Sequence, residues 1–253
     1  MKTAFITGGS TGIGAATVRK FIAEGWNVAF FDFNEEAARA LAEEIAEPER
    51  LMFLCGDIRT KSEIFAAVDA AAARFGSIDS VFANAGIHRR NTVLDITDEE
   101  LDRVIHTNIY GTVNTLRAAV PHLIKAGGGT IVINSSDQFF IGKAHSFAYG
   151  MTKGALGQIS RSLSIDLGPY NIRVNAICPG TIHTPLVDNI FEKFSKVDNK
   201  SIEEYWQEEN AIFARGTAGR PEEVAELVYF LASDKSSFCT GGQYLIDGGL
   251  VAS

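Results

Sequence analysis

The sequence predicts one α/β domain, residues 1–253, built on a doubly wound parallel sheet of seven strands with helices on both faces. Three observations predict it. Short apolar runs alternate with helix-length segments along the chain, the pattern of βαβ units whose sheet is covered on both sides. The first run, Ala4-Phe5-Ile6, passes through Thr7-Gly8-Gly9-Ser10-Thr11-Gly12-Ile13-Gly14 straight into a helical pattern from Ala15. No repeat, composition break or low-complexity linker divides the chain, so one domain is expected rather than two.

The other elements follow in order. A second strand, Val28-Ala29-Phe30-Phe31, ends on Asp32. Asn34 is placed to cap a helix through Leu41 and Ile45 that stops near Pro48. Leu51 to Cys55 is a third strand, closed by Gly56-Asp57. Thr60 with Glu63 reads as a capping box opening a helix to Phe75. A fourth strand, Ile78 to Ala83, ends in Asn84-Ala85-Gly86. Thr97 with Glu100 reads as a second capping box, and its helix should run from Asp98 to about Ile124. Thr130 to Asn134 and Ile172 to Ile177 are the fifth and sixth strands, with a helix from about Tyr149 to Leu167 between them. Pro221, followed by Glu222-Glu223, opens a helix to Leu231, and Gln243 to Ile246 is the seventh strand. Residues 184–216 mix Phe191, Phe194, Tyr205, Trp206 and Phe213 with many charges and show no strand pattern. A long insertion there is expected to be a helical lid over the site.

In such a sheet ligands bind beyond the carboxyl ends of the strands. Those ends carry Gly8 to Gly14, Asp32, Asp57, Asn84-Ala85-Gly86, Ser135-Ser136 and Pro179-Gly180. A strand that turns through glycines into a helix aims unpaired N–H groups and a positive dipole end at whatever sits above it, which suits a phosphate. Gly8, Gly12 and Gly14 read as G-x-x-x-G-x-G, not as G-x-G-x-x-G, and a glycine turn alone can be purely structural. Asp32, at the end of the second strand, is placed to accept hydrogen bonds from an adenosine ribose. The two features together point to a dinucleotide. No Arg or Lys stands at Gly9, Ser10, Thr11 or Phe33 to receive a 2′-phosphate, so NAD is expected over NADP.

Composition narrows the class. A hydrophobic content of 46% with 21% charged residues suits a chain with a sizeable core. The net charge of −8 argues against nucleic acid or an anionic membrane as the main partner. Cys55, Cys178 and Cys239 have neither disulfide nor metal spacing; Cys55 and Cys178 close apolar runs and are expected to be buried free thiols. No metal is expected. Met1-Lys2-Thr3 leads straight into the first strand and no apolar run is long enough to span a membrane, so a cytoplasmic protein without a signal peptide is expected.

Tyr149 and Lys153 stand four apart on a predicted helix and share a face. A phenol titrates near ~10 and must fall by ~3 units, roughly 4 kcal/mol, to act as an acid or base at neutral pH. One ammonium ~4 Å away, at an effective dielectric of ~20, supplies about that much.

Thr7-Gly8, Gly12-Ile13-Gly14, Asn84-Ala85-Gly86, Asn108, Ser136, Tyr149 with Lys153, and Pro179 to Thr184 together resemble the short-chain dehydrogenase/reductase family. The resemblance covers the whole chain, including Gly219 to Val224 and Asp247-Gly248-Gly249, and implies a Rossmann-like fold. Ala83 departs from it, since the family often has a second Asn there. The resemblance implies that Tyr149 is the acid/base at the substrate oxygen and that Ser136 hydrogen-bonds the same oxygen. It implies that Lys153 lowers the pKa of Tyr149 and binds the nicotinamide ribose, and that Asn108 holds a water linking Lys153 to solvent. Cofactor contacts would come from Gly8, Ser10, Thr11, Gly12, Ile13, Gly14, Asp32, Asp57, Ile58, Asn84, Ala85, Gly86, Tyr149, Lys153, Pro179, Gly180, Ile182 and Thr184. Asp57 would bind the adenine; Ile182 and Thr184 would hold the nicotinamide amide.

An NAD-dependent secondary-alcohol oxidoreductase is therefore expected, against a reductase of 3-oxoacyl thioesters and, less so, a regulator that binds the dinucleotide without catalysis. The intact set Asn108, Ser136, Tyr149 and Lys153 favours an enzyme. The expected substrate-facing residues, Ser136, Gln138, Tyr149, Arg89 and His183, with Asp137, His88 and Arg90 nearby, are polar for a steroid or acyl pocket. A sugar, sugar acid or polyol suits them better, with Arg89 or Arg90 on a carboxylate. The apolar helices from Asp98 and from Tyr149 are expected to pair across two-fold axes in a homotetramer.

Overall fold

The computed structural model describes residues 1–252, apart from the side chain of Val197. Its strands are β1 (Thr3–Thr7), β2 (Asn27–Asp32), β3 (Leu51–Cys55), β4 (Ser80–Ala83), β5 (Gly129–Asn134), β6 (Ile172–Pro179) and β7 (Gln243–Ile246). They form one sheet in the order β3-β2-β1-β4-β5-β6-β7, every pair parallel. The order reverses between β1 and β4, and that switch point is where such sheets open a crevice for ligand.

Alternation along each strand divides the core between two faces. Phe5, Ala29, Phe31, Val81, Ile131, Ile133 and Val174 point one way, against α3 (Lys61–Phe75), α5 (Gly111–Lys125) and α6 (Phe147–Leu167). Ala4, Ile6, Val28, Phe30, Phe82, Val132 and Ile177 point the other way, against α1 (Gly12–Ala23), α2 (Glu35–Ile45) and α9 (Pro221–Ala232). Each such buried Phe or Ile is worth roughly 1.5–3 kcal/mol, so a one-residue slip of any central strand is prohibitive.

Several local expectations need correction. Thr60 does not cap α3 with its side chain; the Glu63 carboxylate instead accepts from the Asp57 N–H at 2.7 Å, which ties the β3–α3 loop rather than closing a box. Thr97 does accept from the Glu100 N–H, and Asn34 from Ala37. The fourth strand begins at Ser80, not Ile78, because Asp79 is turned to accept from the Thr3 N–H and from Ser77. Cys55 is exposed, since β3 is the edge strand and nothing covers its last residue; Cys178, inside the sheet, is buried.

The long helix from Asp98 is interrupted. α4 (Asp98–Ile105) passes through a π turn, His106–Tyr110, into α5. Thr107 and Thr112 donate their hydroxyls to the carbonyls of Arg103 and Asn108, back-bonding that suits a local widening of the helix. The turn places Asn108 on its inner side, fully buried. Residues 184–216 are helical as expected: α7 (Pro185–Asp198) and α8 (Ile202–Ala211) form a hairpin after β6. Ser201 and Glu204 close a reciprocal capping box at its bend.

Candidate functional site

A cleft of about 630 Å³ runs along the carboxyl ends of β1, β2, β4, β5 and β6 and is roofed by α7. Its floor at one end is the turn from β1 into α1. Gly8 has φ +65° and Gly12 +53°, conformations open to glycine. A Cβ on Gly14 would sit 1.9 Å from the Gly8 carbonyl oxygen. Thr11 gives the start of α1 no side-chain cap. These features make a cradle free of side chains under a helix dipole, and they fit a pyrophosphate. Asn84 fixes the turn to the end of β4: its Nδ2 donates to the carbonyls of Thr7 and Gly8, and its Oδ1 accepts from Asn134.

Asp32 is 8% exposed at the rim of this cradle. Its Oδ2 accepts from the Ser10 N–H and its Oδ1 from Asn34, each at 3.0 Å. Each oxygen keeps a lone pair for a ribose hydroxyl. Ile13, Ile58, Ala85, Gly86, Pro179, Gly180, Ile182 and Thr184 also line the cleft. Asp57 lines it too, but both its oxygens are engaged by Arg59, which holds its carboxyl below the usual range. An adenine there meets the pair Asp57–Arg59, not a free carboxylate.

At the other end Ser136, Tyr149 and Lys153 meet. Lys153 is 3% exposed, donates to the Asn134 carbonyl at 2.6 Å, and has its ammonium 5.4 Å from the centre of the Tyr149 ring. Burial pushes Lys153 down to about 8. Within the chain alone, the Tyr149 phenol stands above its ordinary value rather than below it as expected, despite the Lys153 ammonium beside it. Burial and the Asp137 carboxylate hold the phenol above its ordinary value, and hydrogen bonding with Ser136 pulls only partly against them. Ser135 faces away, donating to the Lys153 carbonyl. Both donors of the Asn108 amide are spent: its Nδ2 donates to the Ile87 carbonyl and to Thr152, while its Oδ1 accepts from the Ile87 N–H. It braces the β4–α4 loop against α6.

The polar residues beyond Tyr149 are sorted by the fold. Gln138 lines the cleft, but Arg89 and His183 do not. Arg89 donates to the His88 carbonyl, Arg90 lies over the Phe194 ring at 4.3 Å, and His183 stacks on Trp206 at 4.1 Å. The last two contacts tie the hairpin α7–α8 to the loops beneath it. Besides Lys153, the cation that reaches this end is Lys143, 2.9 Å from Asp137. His88 also reaches it, edge-on to Tyr149, and burial with nearby cations pushes it down to about 4, so it is neutral. Sequence reasoning missed Lys143 because its loop has no periodicity that assigns it a direction.

A family model described as enoyl-(acyl carrier protein) reductase matches residues 8–251. The chain is 36% identical over 251 residues to the 3-alpha-(or 20-beta)-hydroxysteroid dehydrogenase of Mycobacterium bovis, covering 99% of this chain and 90% of that one. The chain belongs to the short-chain dehydrogenase/reductase family. Among solved members of that family, levodione reductase superposes with a TM-score of 0.94 at 29% identity, over 100% of this chain and 98% of that one. The aldohexose dehydrogenase of Thermoplasma acidophilum superposes at 0.90 and 31% identity, over 100% and 94%. As a short-chain dehydrogenase/reductase the protein is an oxidoreductase, and among its described residues no helix is long and apolar enough to cross a membrane.

Proposed function

We propose that the protein interconverts a secondary alcohol and a ketone with NAD(H), with Tyr149 as acid/base. The observation that carries this is the convergence of Ser136, Tyr149 and Lys153 at one end of a cleft whose other end is the glycine cradle and Asp32. The nicotinamide supplies the hydride acceptor or donor. Tyr149 takes the proton from the carbinol oxygen, or returns it to the ketone. Ser136 holds that oxygen and stabilises the charge that develops on it. Lys153 holds a positive charge beside the phenol in a dry site, where it favours the phenolate. Asp32 would accept from the adenosine ribose, and the start of α1 would hold the pyrophosphate. The α7–α8 hairpin serves as the lid that excludes water.

The substrate reading is a sugar or polyol. With Arg89 bonded to its own loop and Arg90 over the Phe194 ring, neither lines the cleft, and the sugar-acid option loses the carboxylate partners expected for it. The aldohexose dehydrogenase named above accords with polyhydroxy chemistry. A 3-oxoacyl or enoyl thioester reductase is the second reading, favoured by the description of the matching family model. Purified protein with NAD+ or NADH, assayed against sugars, polyols, hydroxysteroids and hydroxyacyl or oxoacyl thioesters, decides between them. Turnover of a thioester above every polyhydroxy alcohol rejects the first. We also propose a cytoplasmic homotetramer: Val104, Leu116 and Leu156 are already buried in the chain, but Tyr110, Phe147, Met151 and Ile165 on the π turn and α6 remain exposed. Light scattering that gives a monomer at micromolar concentration rejects it.

A further inference from the structure

Asp137 is 1% exposed, beside Ser136, and its two oxygens differ in their partners. Oδ1 accepts the Ser136 hydroxyl at 2.7 Å. Oδ2 lies 2.9 Å from the Lys143 ammonium and receives no hydrogen bond. Both residues line the cleft that Tyr149 lines, with Gln138 and His88 beside them. The His88 Nδ1 and Gln138 Oε1 atoms are also buried without partners. Taking the Asp137 carboxylate out of water costs more than a partly exposed ammonium commonly returns, so a pair of this kind is not a device for stability. It does not assist proton transfer either, since the Asp137 charge opposes ionisation of Tyr149. A ligand that completes the pair accounts for it.

The chemistry of that ligand group follows from the pair. A hydroxyl donates one hydrogen bond and accepts others. It matches a carboxylate and an ammonium side by side, donating to Oδ2 and accepting from Nζ. A carbonyl or ether can use only Lys143. A carboxylate would be repelled by Asp137, which already pairs with Lys143. Because Oδ1 of the same carboxylate holds Ser136, the hydroxyl so bound lies close to the reacting oxygen.

We infer that Asp137 and Lys143 form a subsite for a second hydroxyl of the substrate, one or two carbons from the reacting carbinol. The preferred substrate is then an uncharged vicinal or 1,3-diol unit rather than an isolated alcohol or a hydroxy acid. This rests on the proposed function, in which Ser136 and Tyr149 face the reacting oxygen.

The experiment is a ratio. The kcat/KM for the better isomer of cyclohexane-1,2-diol is divided by that for cyclohexanol, with NAD+, in the wild type, Asp137→Asn and Lys143→Met. Effects on Ser136 and on proton transfer are common to both alcohols and cancel. A site built around a hydroxyl rejects the analogue lacking it, so the wild-type ratio should be at least about 100. It should fall at least about tenfold in each variant, carried by the KM for the diol. Two variants are used because Lys143 is the more exposed and its loss tests the subsite even if Asp137→Asn does not fold. A wild-type ratio near one, or a ratio unchanged in the variants that fold, overturns the inference and leaves the dehydrogenase reading standing. If no alcohol is oxidised, that reading fails, and diol-dependent quenching of bound NADH fluorescence decides the subsite. Quenching lost in the variants supports it; quenching absent, or unchanged in them, overturns it.

Discussion

The imidazole of His88 stands edge-on to the ring of Tyr149, with centroids 4.8 Å apart and planes at 62°. Its Nε2 lies 3.3 Å from the Ser146 hydroxyl, while its Nδ1 is buried without a partner. Burial first, then Arg89, Lys143 and Arg90, lower its pKa from 6.5 to about 4. Since the unfolded chain binds the proton first on acidification, stability from this group is complete above pH 6.5 and is lost as pH falls from 6.5 towards 4. The loss approaches ~3 kcal/mol. The His88→Gln variant should therefore show a flatter fall in Tm over that window. Parallel wild-type and variant curves would show that the ring is not held neutral by its surroundings.

Tyr149→Phe should lower kcat by about 10²–10⁴-fold, the range of acid/base groups. NADH binding, followed by fluorescence, should stay near wild type, since the ring is retained. A variant that keeps a tenth of the rate removes Tyr149 from proton transfer.

Asp32 should make NAD+ at least about tenfold better than NADP+ in kcat/KM, because its carboxylate lines the cleft beside the glycine turn, where it would repel a 2′-phosphate, and no base stands at Thr11 or Phe33. Of the two arginines that line the cleft, Arg59 is held by Asp57, and Arg103 also acts on that carboxylate. Asp32→Ala should bring the two cofactors towards parity, chiefly through KM for NAD+. Equal use of NADP+ by the wild type contradicts this.

Gly14→Ala places a Cβ 1.9 Å from the Gly8 oxygen, a backbone atom that cannot step aside without opening the turn. A cost of about 3 kcal/mol corresponds to roughly 6–12 °C in Tm, with loss of NADH binding. Gly168→Ala is the control: φ is −52° and a Cβ there meets nothing within 4 Å, so Tm should hold or rise slightly. If Gly14→Ala binds NADH normally, the turn is not the cradle described.

Some features were set by the chain alone. Strand residues such as Phe5 and Phe31, or Ile6 and Phe30, alternate because the pleat has a period of two, and that period is visible in any order of strands. Asn34 accepts from Ala37, and Pro221 begins α9, because caps act within a few residues. The glycine turn, Asp32, and the one-face spacing of Tyr149 and Lys153 are equally local, and the fold keeps each of them in the cleft.

Loop side chains were decided by tertiary structure. Arg89 and Lys143 are both cations in loops near the cleft, yet one bonds a carbonyl of its own loop and the other reaches Asp137. His183 leaves the cleft for Trp206, which is distant in sequence. Asp137 turns inward, where its charge adds to burial in holding the Tyr149 phenol above its ordinary value. Cys55 ends as apolar a run as Cys178 does, and only the order of strands makes one an edge and the other a core position. Local propensity fixes an element and its face. The direction of an aperiodic loop side chain, and the charge a buried group tolerates, depend on neighbours that folding brings from elsewhere in the chain.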